Sequence, residues 1–189
     1  MDELEQRLRA ALEGSPVLWS VIQNAERLDL ADYYIGAGCI AQTVWNCQND
    51  LPPLHGISDI DLAYYDGEDL SWEGENAVIC RARALFGALP LSLDVKNQAR
   101  VHLWYGEKFG KDIEPYSSLE AAIRTWPTSS TAVGVRLRCG ELSVFAPFGL
   151  EDLFSQRVRP NRVQVSQADY EKKCARWGKM WDTLTFEKW

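Results

Sequence analysis

The sequence predicts an α/β (α+β) domain: one mixed sheet flanked by helices, with a C-terminal helix packed on it. Three observations carry this. Short runs with apolar residues at every second position alternate along the chain with runs whose apolar residues recur every three or four. The chain is 189 residues long, about one domain's worth, and no linker or internal repeat divides it. A hydrophobic fraction of 46% against 25% charged residues is that of an ordinary globular protein. Residues 1–189 are therefore read as a single domain.

The elements follow in order. Leu4, Leu8 and Leu12 fall at helical spacing over 3–13, and Ser15-Pro16 breaks the chain before a second helix over 17–28. DYYIGAG (32–38) reads as a strand entering a glycine turn, after which Ile40, Val44 and Cys47 share one helical face. Residues 57–65 form a strand, 76–87 a helix with Val78, Ala82 and Leu85 on one side, and 91–98 a further strand. A loop bearing Gly, Pro and Lys fills 106–116, and a short helix follows near 117–124. TAVGVRLR (131–138) and ELSVFA (141–146) make a hairpin across Cys139-Gly140. Residues 149–157 form a short helix. Ser166, with Asp169 three residues on, caps a last helix striped by Tyr170, Cys174, Trp177 and Trp181.

Composition narrows the partners. The formal charge is −7, which does not advertise the basic face of a protein that lives on phosphate backbones. The imbalance is uneven: residues 1–150 carry 12 basic and 21 acidic side chains, whereas 151–189 carry 8 and 6. A local basic patch is left open near the C-terminus and net charge alone does not exclude an RNA acceptor, while a small-molecule or protein acceptor is favoured over long nucleic acid. No run approaches the ~18 apolar residues of a membrane span, and the charged first residues lack a signal peptide's apolar stretch. The expectation is a cytoplasmic protein. Cys39, Cys47, Cys80, Cys139 and Cys174 have no zinc or redox spacing and read as reduced thiols, mostly core filler. Most of the eight tryptophans are assigned to the core, with Trp126 the candidate for a base contact.

The chemistry concentrates in carboxylates. In a strand, Asp59 and Asp61 point to one face, roughly 6–7 Å apart, while Ile60, Leu62 and Tyr64 point to the other. Two carboxylates on one face repel and resist burial, and a divalent cation offsets both. A solvated strand end whose aspartates meet water, Lys or Arg is the plain alternative. In LSLDVKN, Asp94 shares a face with Ser92 and Lys96. If that strand neighbours 57–65, Asp94 completes a three-carboxylate cluster, and Lys96 is its alternative partner. Gly36-Ala37-Gly38 lies between strand and helix, where glycines let backbone N–H groups approach an anion. It is neither a dinucleotide-binding fingerprint, since position 41 is Ala, nor a P-loop.

The order strand, glycine turn, helix, strand with D-x-D, helix, strand with a third Asp resembles the DNA polymerase β-type nucleotidyltransferase superfamily. The chain is similar to a family of small bacterial nucleotidyltransferases within it. The likeness runs through GAGCIAQTVWN (36–46), SDIDLAYYD (58–66), LDVKNQARVHLWY (93–105), PYSSLEAAIRTWPTSSTAVGVR (115–136), FAPFGLEDLF (145–154) and VRPN (158–161). The resemblance implies that Gly36 and Gly38 line a triphosphate pocket. It implies that Asp59, Asp61 and Asp94 hold Mg²⁺ (or Mn²⁺), with Asp94 nearest the attacking hydroxyl. The donor would be an NTP such as ATP, and pyrophosphate would leave. One position departs: the superfamily usually has Gly-Ser or Gly-Gly at the turn, often with a basic residue nearby. Here Ala37 follows Gly36 and no Lys or Arg follows before Arg81. Triphosphate grip must come partly from elsewhere, and Lys96, Arg100 and Arg136 are the candidates. A non-catalytic nucleotide-binding or regulatory module of the same fold is the competing expectation.

Overall fold

The computed structural model describes residues 2–189. Helices α1 (Glu3–Glu13) and α2 (Pro16–Asn24) lead through a 3₁₀ turn into β1 (Tyr33–Gly36) and α3 (Gly38–Gln48). Next come β2 (Asp59–Tyr64), α4 (Trp72–Phe86), β3 (Ser92–Asn97), α5 (His102–Phe109) and α6 (Leu119–Ile123). The hairpin β4 (Gly134–Arg138) and β5 (Glu141–Phe145) precedes α7 (Glu151–Phe154), β6 (Arg157–Val158), α8 (Gln167–Trp177) and β7 (Thr185–Phe186).

The main sheet has the order β3-β2-β1-β4-β5. β2 and β3 run parallel, joined through α4, and the remaining neighbours are antiparallel. This is the mixed sheet that the alternation predicts. Because strand residues alternate in direction, one face carries Ile35, Ile60, Leu62, Val95 and Val135, all buried in the main core. Leu8 and Leu12 of α1, Leu18 and Ile22 of α2, and Ile40 and Val44 of α3 belong to that same core. The opposite face carries Gly36, Asp61, Asp94 and Gly134 in register across four strands. A small cluster of Tyr34, Ala63, Leu119 and Ile123, with Tyr65, Trp126 and Phe145 packed against it, covers part of this face.

Local chemistry sets the helix starts. Asp2 and Glu5 form a reciprocal capping box on α1, Pro16 opens α2, and Ser71, Ser118 and Ser166 cap α4, α6 and α8. The C-terminal segment is tied to α3: Trp45 meets Trp177 at the end of α8, and Trp181 beyond it, edge-on at 5.6 and 5.4 Å, and Trp181 Nε1 donates to Asn46 Oδ1 at 2.8 Å.

Several expectations are revised. The 106–116 loop begins only after Phe109, because α5 continues through Gly106 to a left-handed Gly110. α4 begins at Trp72, earlier than its apolar spacing suggests, because Ser71 supplies the cap. β6 and β7 pair in parallel over two residues each, too short for any alternation to show. Of the cysteines only Cys39 is buried, and Cys47, Cys80 and Cys139 are exposed. Among the tryptophans only Trp45, Trp177 and Trp181 are buried, while Trp72 is 62% exposed.

Candidate active site

Two parallel strands build the centre. Asp61 of β2 is the register partner of Asp94 of β3, and Asp59 stands opposite Ser92. Adjacent strands lie about 4.8 Å apart, so Asp61 and Asp94 are side by side on one face. Gly36 is the partner of Asp61 on the other side, which sets the glycine turn against the aspartates. A hollow of about 220 Å³ at this point is lined by Ala37, Asp61, Asp94, Lys96, Gln98 and Trp126, among others.

The electrostatics follow from that crowding. Burial, then Asp59, then Asp94 push the Asp61 carboxyl up to about 7. Two ammonium groups oppose the rise, Lys173 and Lys96. Lys96 Nζ lies 3.2 Å from Asp94 Oδ1. Lys173 comes from α8, and its own ammonium is drawn below the usual lysine range by burial and by Arg176. Ser58 Oγ donates to Asp59 Oδ1 at 2.5 Å. Among the described residues no three His, Cys, Asp or Glu side chains close on one point. The donor set nonetheless fits a hard divalent cation: it consists of carboxylates alone, on one face, and its charge is balanced by lysines. Binding one would exchange the Lys96 and Ser58 contacts for the ion.

The turn has its own logic. A Cβ at Gly36 would stand 2.7 Å from Val133 O and 2.8 Å from the Trp126 ring. A Cβ at Gly38 would stand 2.8 Å from Gln42 Nε2. Gly36 therefore has no room for a side chain, whereas the obstacle at Gly38 is the movable end of Gln42. Ala37 adopts φ 59°, ψ −133°, a conformation that favours glycine. Its N–H is held by Val133 O at 3.0 Å. No side chain caps α3, which leaves its first-turn amides open to an anion. Ala37→Gly is expected to stabilise the protein by about 1 kcal/mol through relief of that strain, which a thermal melt checks.

The structure brings Gly36, Gly38, Asp59, Asp61, Asp94 and Lys96 to one place. It does not bring Arg100 or Arg136 there. Arg100 is buried in an ion pair with Glu75 and donates from Nε to Leu70 O at 2.9 Å. Arg136 lies two residues beyond Gly134, its Nη1 2.7 Å from Asp32 Oδ1 and its guanidinium over Tyr34. Lys173 is the cation that sequence reading passed over. Its only signal is the basic tilt of residues 151–189.

A larger cleft, about 490 Å³, continues from the hollow past Asp94, Lys96 and Trp126 toward α5 and α8. Trp126 thus lines both spaces, with its carbonyl held by Asn161 Nδ2 at 2.9 Å. The arginines of 157–162 are spent at the surface: Arg157 pairs with Glu187, Arg159 with Asp152, and Arg162 lies over Trp189. Among the described residues no helix is long and apolar enough to cross a membrane.

This architecture has a counterpart among solved structures. A protein whose NMR structure is described as revealing a CCA-adding enzyme head domain superposes with a TM-score of 0.76. The two are 26% identical over 98% of this chain and 96% of that one. A second, described as a tRNA-processing enzyme complex, is 16% identical over 85% of this chain and 40% of that one, and its TM-score of 0.42 is too low to bear on the fold. No curated protein matches the chain. A family model described as nucleotidyltransferase matches residues 23–186. The chain belongs to that nucleotidyltransferase family.

Proposed function

We propose that the protein is a divalent-metal-dependent nucleotidyltransferase, moving a nucleoside monophosphate from an NTP to a hydroxyl of an acceptor with release of pyrophosphate. The observation that carries this is the pairing of Asp61 with Asp94 on neighbouring parallel strands, directly beside the glycine turn. Mg²⁺ or Mn²⁺ held by Asp59, Asp61 and Asp94 would neutralise phosphate charge and raise the acidity of the attacking hydroxyl. The uncapped first turn of α3 receives a phosphate, and the bare Gly36 and Gly38 let it approach the backbone. Lys173 and Lys96 turn from the carboxylates toward the triphosphate as it enters. They supply the cations that the turn itself lacks. Trp126, packed over Gly36, closes the hollow on one side and keeps water from that wall.

Lys173→Met is expected to weaken NTP binding about tenfold, the worth of one charge-assisted hydrogen bond. Calorimetry with Mg²⁺ present checks it, and unchanged binding would remove Lys173 from the triphosphate site. The overall proposal is tested by titrating each of the four NTPs with Mg²⁺ into the wild type and Asp61→Ala. Binding by the wild type that vanishes in the variant is the expected result. Equal binding by both would overturn the site.

The lysine contacts favour one competing reading. Because Asp94 already has Lys96 beside it, a module that binds nucleotide without turnover is also built for charge balance at rest. It differs in outcome: NTP binds, and no pyrophosphate appears with any acceptor.

A further inference from the structure

We propose that the cleft beyond Asp94 is the acceptor site and that the acceptor is a nucleotide. Its base lies among the aromatic rings, its phosphate on cations of α8, and its ribose hydroxyl toward Asp94. This rests on the transferase reading above. The cleft shares Asp94, Lys96, Gln98, Trp126 and Pro127 with the hollow, but Asp61 and Ala37 line only the hollow. A triphosphate at the turn of α3 therefore leaves the cleft for a second substrate, with Asp94 at the junction.

The lining says what that substrate is. α5 contributes Trp104, Tyr105 and Phe109, and Trp126 faces the same space. Tyr105 and Phe109 have ring centroids 4.5 Å apart, and Trp104 and Tyr105 6.2 Å. Lys108 lies 5.4 and 5.3 Å from the Trp104 and Phe109 rings. α8 adds Lys172 and Arg176 beside Lys173, the last being the one assigned above to the triphosphate. In a chain of net charge −7, this lining still holds Lys108, Lys172 and Arg176 against Asp94 and Asp169 once Lys96 and Lys173 serve the triphosphate. A cationic amine acceptor would be repelled, and an uncharged sugar would use neither the ring row nor the lysines. A flat base joined to a phosphate uses both, as stacking platforms flanked by cations do elsewhere. At about 490 Å³ the cleft is the size of a small-molecule site, which suits one nucleotide rather than a strand.

The reaction balances simply. The ribose oxygen bonds to the α-phosphorus as the bond from that phosphorus to the α–β bridging oxygen breaks. Pyrophosphate leaves with the electron pair, and the hydroxyl proton passes to water. The nucleotide has two sources, a free mononucleotide or the 3′ end of single-stranded RNA.

The test is fluorescence anisotropy with a short 5′-labelled oligoribonucleotide bearing a free 3′ hydroxyl, followed by competition with AMP. Wild type and a Lys172→Glu/Arg176→Glu double variant are compared, both sites being exposed. The reversal is expected to weaken oligonucleotide or AMP binding by about tenfold or more, with melting unchanged and a smaller effect on NTP binding, because Arg176 also acts on Lys173. Displacement by AMP at concentrations matching the oligonucleotide assigns the free mononucleotide; displacement only by oligonucleotides assigns the RNA end. Both uphold the proposal. Absence of binding by the wild type, or binding indifferent to the reversal, overturns it. An equal loss of NTP affinity in the double variant also overturns it, by placing the donor in the cleft. A wild type that binds the oligonucleotide but no NTP overturns the transferase reading instead, and the acceptor role with it.

Discussion

Asp61→Asn is expected to lower nucleotidyl transfer at least about a thousandfold, equivalent to about 4 kcal/mol of lost transition-state stabilisation, while making the metal-free protein more stable at pH 8. The two effects have one cause. Asp61 sits where burial, Asp59 and Asp94 all disfavour its charge, and its carboxyl is pushed up to about 7. A folded-state value above that of the unfolded chain means the folded protein binds the proton more tightly. Stability is then lost as pH rises from the ordinary carboxyl range, near 3.8, through about 7. Asparagine cannot ionise, so the variant escapes that loss. Its melting temperature in EDTA should exceed the wild type's by several degrees at pH 8 and converge with it near pH 4. A variant that is less stable at pH 8, or that retains transfer, would show that Asp61 is an ordinary structural carboxylate.

Arg100→Ala should cost about 3–5 kcal/mol of stability, the usual penalty for stranding one member of a buried ion pair. Arg100 and Glu75 are 8% and 7% exposed. Glu75 Oε1 also accepts the backbone N–H of Asn97 at 2.9 Å, and Asn97 Nδ2 in turn donates to Asp66 O at 2.9 Å. The network ties the start of α4 to the end of β3. Removing the guanidinium leaves a buried carboxylate on α4 without its partner. Glu75→Gln in the same chain should recover part of the loss, since the amide needs no counter-charge. Denaturant unfolding of the two variants checks this. An Arg100→Ala protein that melts like the wild type yet loses NTP affinity would return Arg100 to the nucleotide site.

The contrast between Arg100 and Lys173 shows what the sequence carries. The strands were readable because each has one apolar face: Ile60 and Leu62 against Asp59 and Asp61, Leu93 and Val95 against Ser92 and Asp94. Alternation fixes the face of a side chain within a strand, and the parallel register of Asp61 with Asp94 fulfils the condition for a cluster. Arg100 lies beyond the strand. A 3₁₀ turn over Gln98–Arg100 carries it off the aspartate face and back to α4, and no periodicity extends through such a turn. Lys173 fails to show for the opposite reason. On its own helix it is one cation among several, and only the docking of Trp177 on Trp45 sets that helix beside the aspartates. The aromatic row of α5 stayed hidden because Gly106, Lys108 and Gly110 give that segment the composition of a loop.

The most direct test of the carboxylate site is electron paramagnetic resonance of Mn²⁺ titrated into the protein with a non-hydrolysable NTP analogue, in wild type and Asp61→Asn. The wild type should sequester Mn²⁺ only when the analogue is present or more tightly with it, and the variant should leave the free-ion signal undiminished beyond the analogue's own chelation. A wild type that binds the analogue without drawing in Mn²⁺, or a variant that sequesters it equally well, would contradict the assignment of Asp59, Asp61 and Asp94 as the metal-holding group.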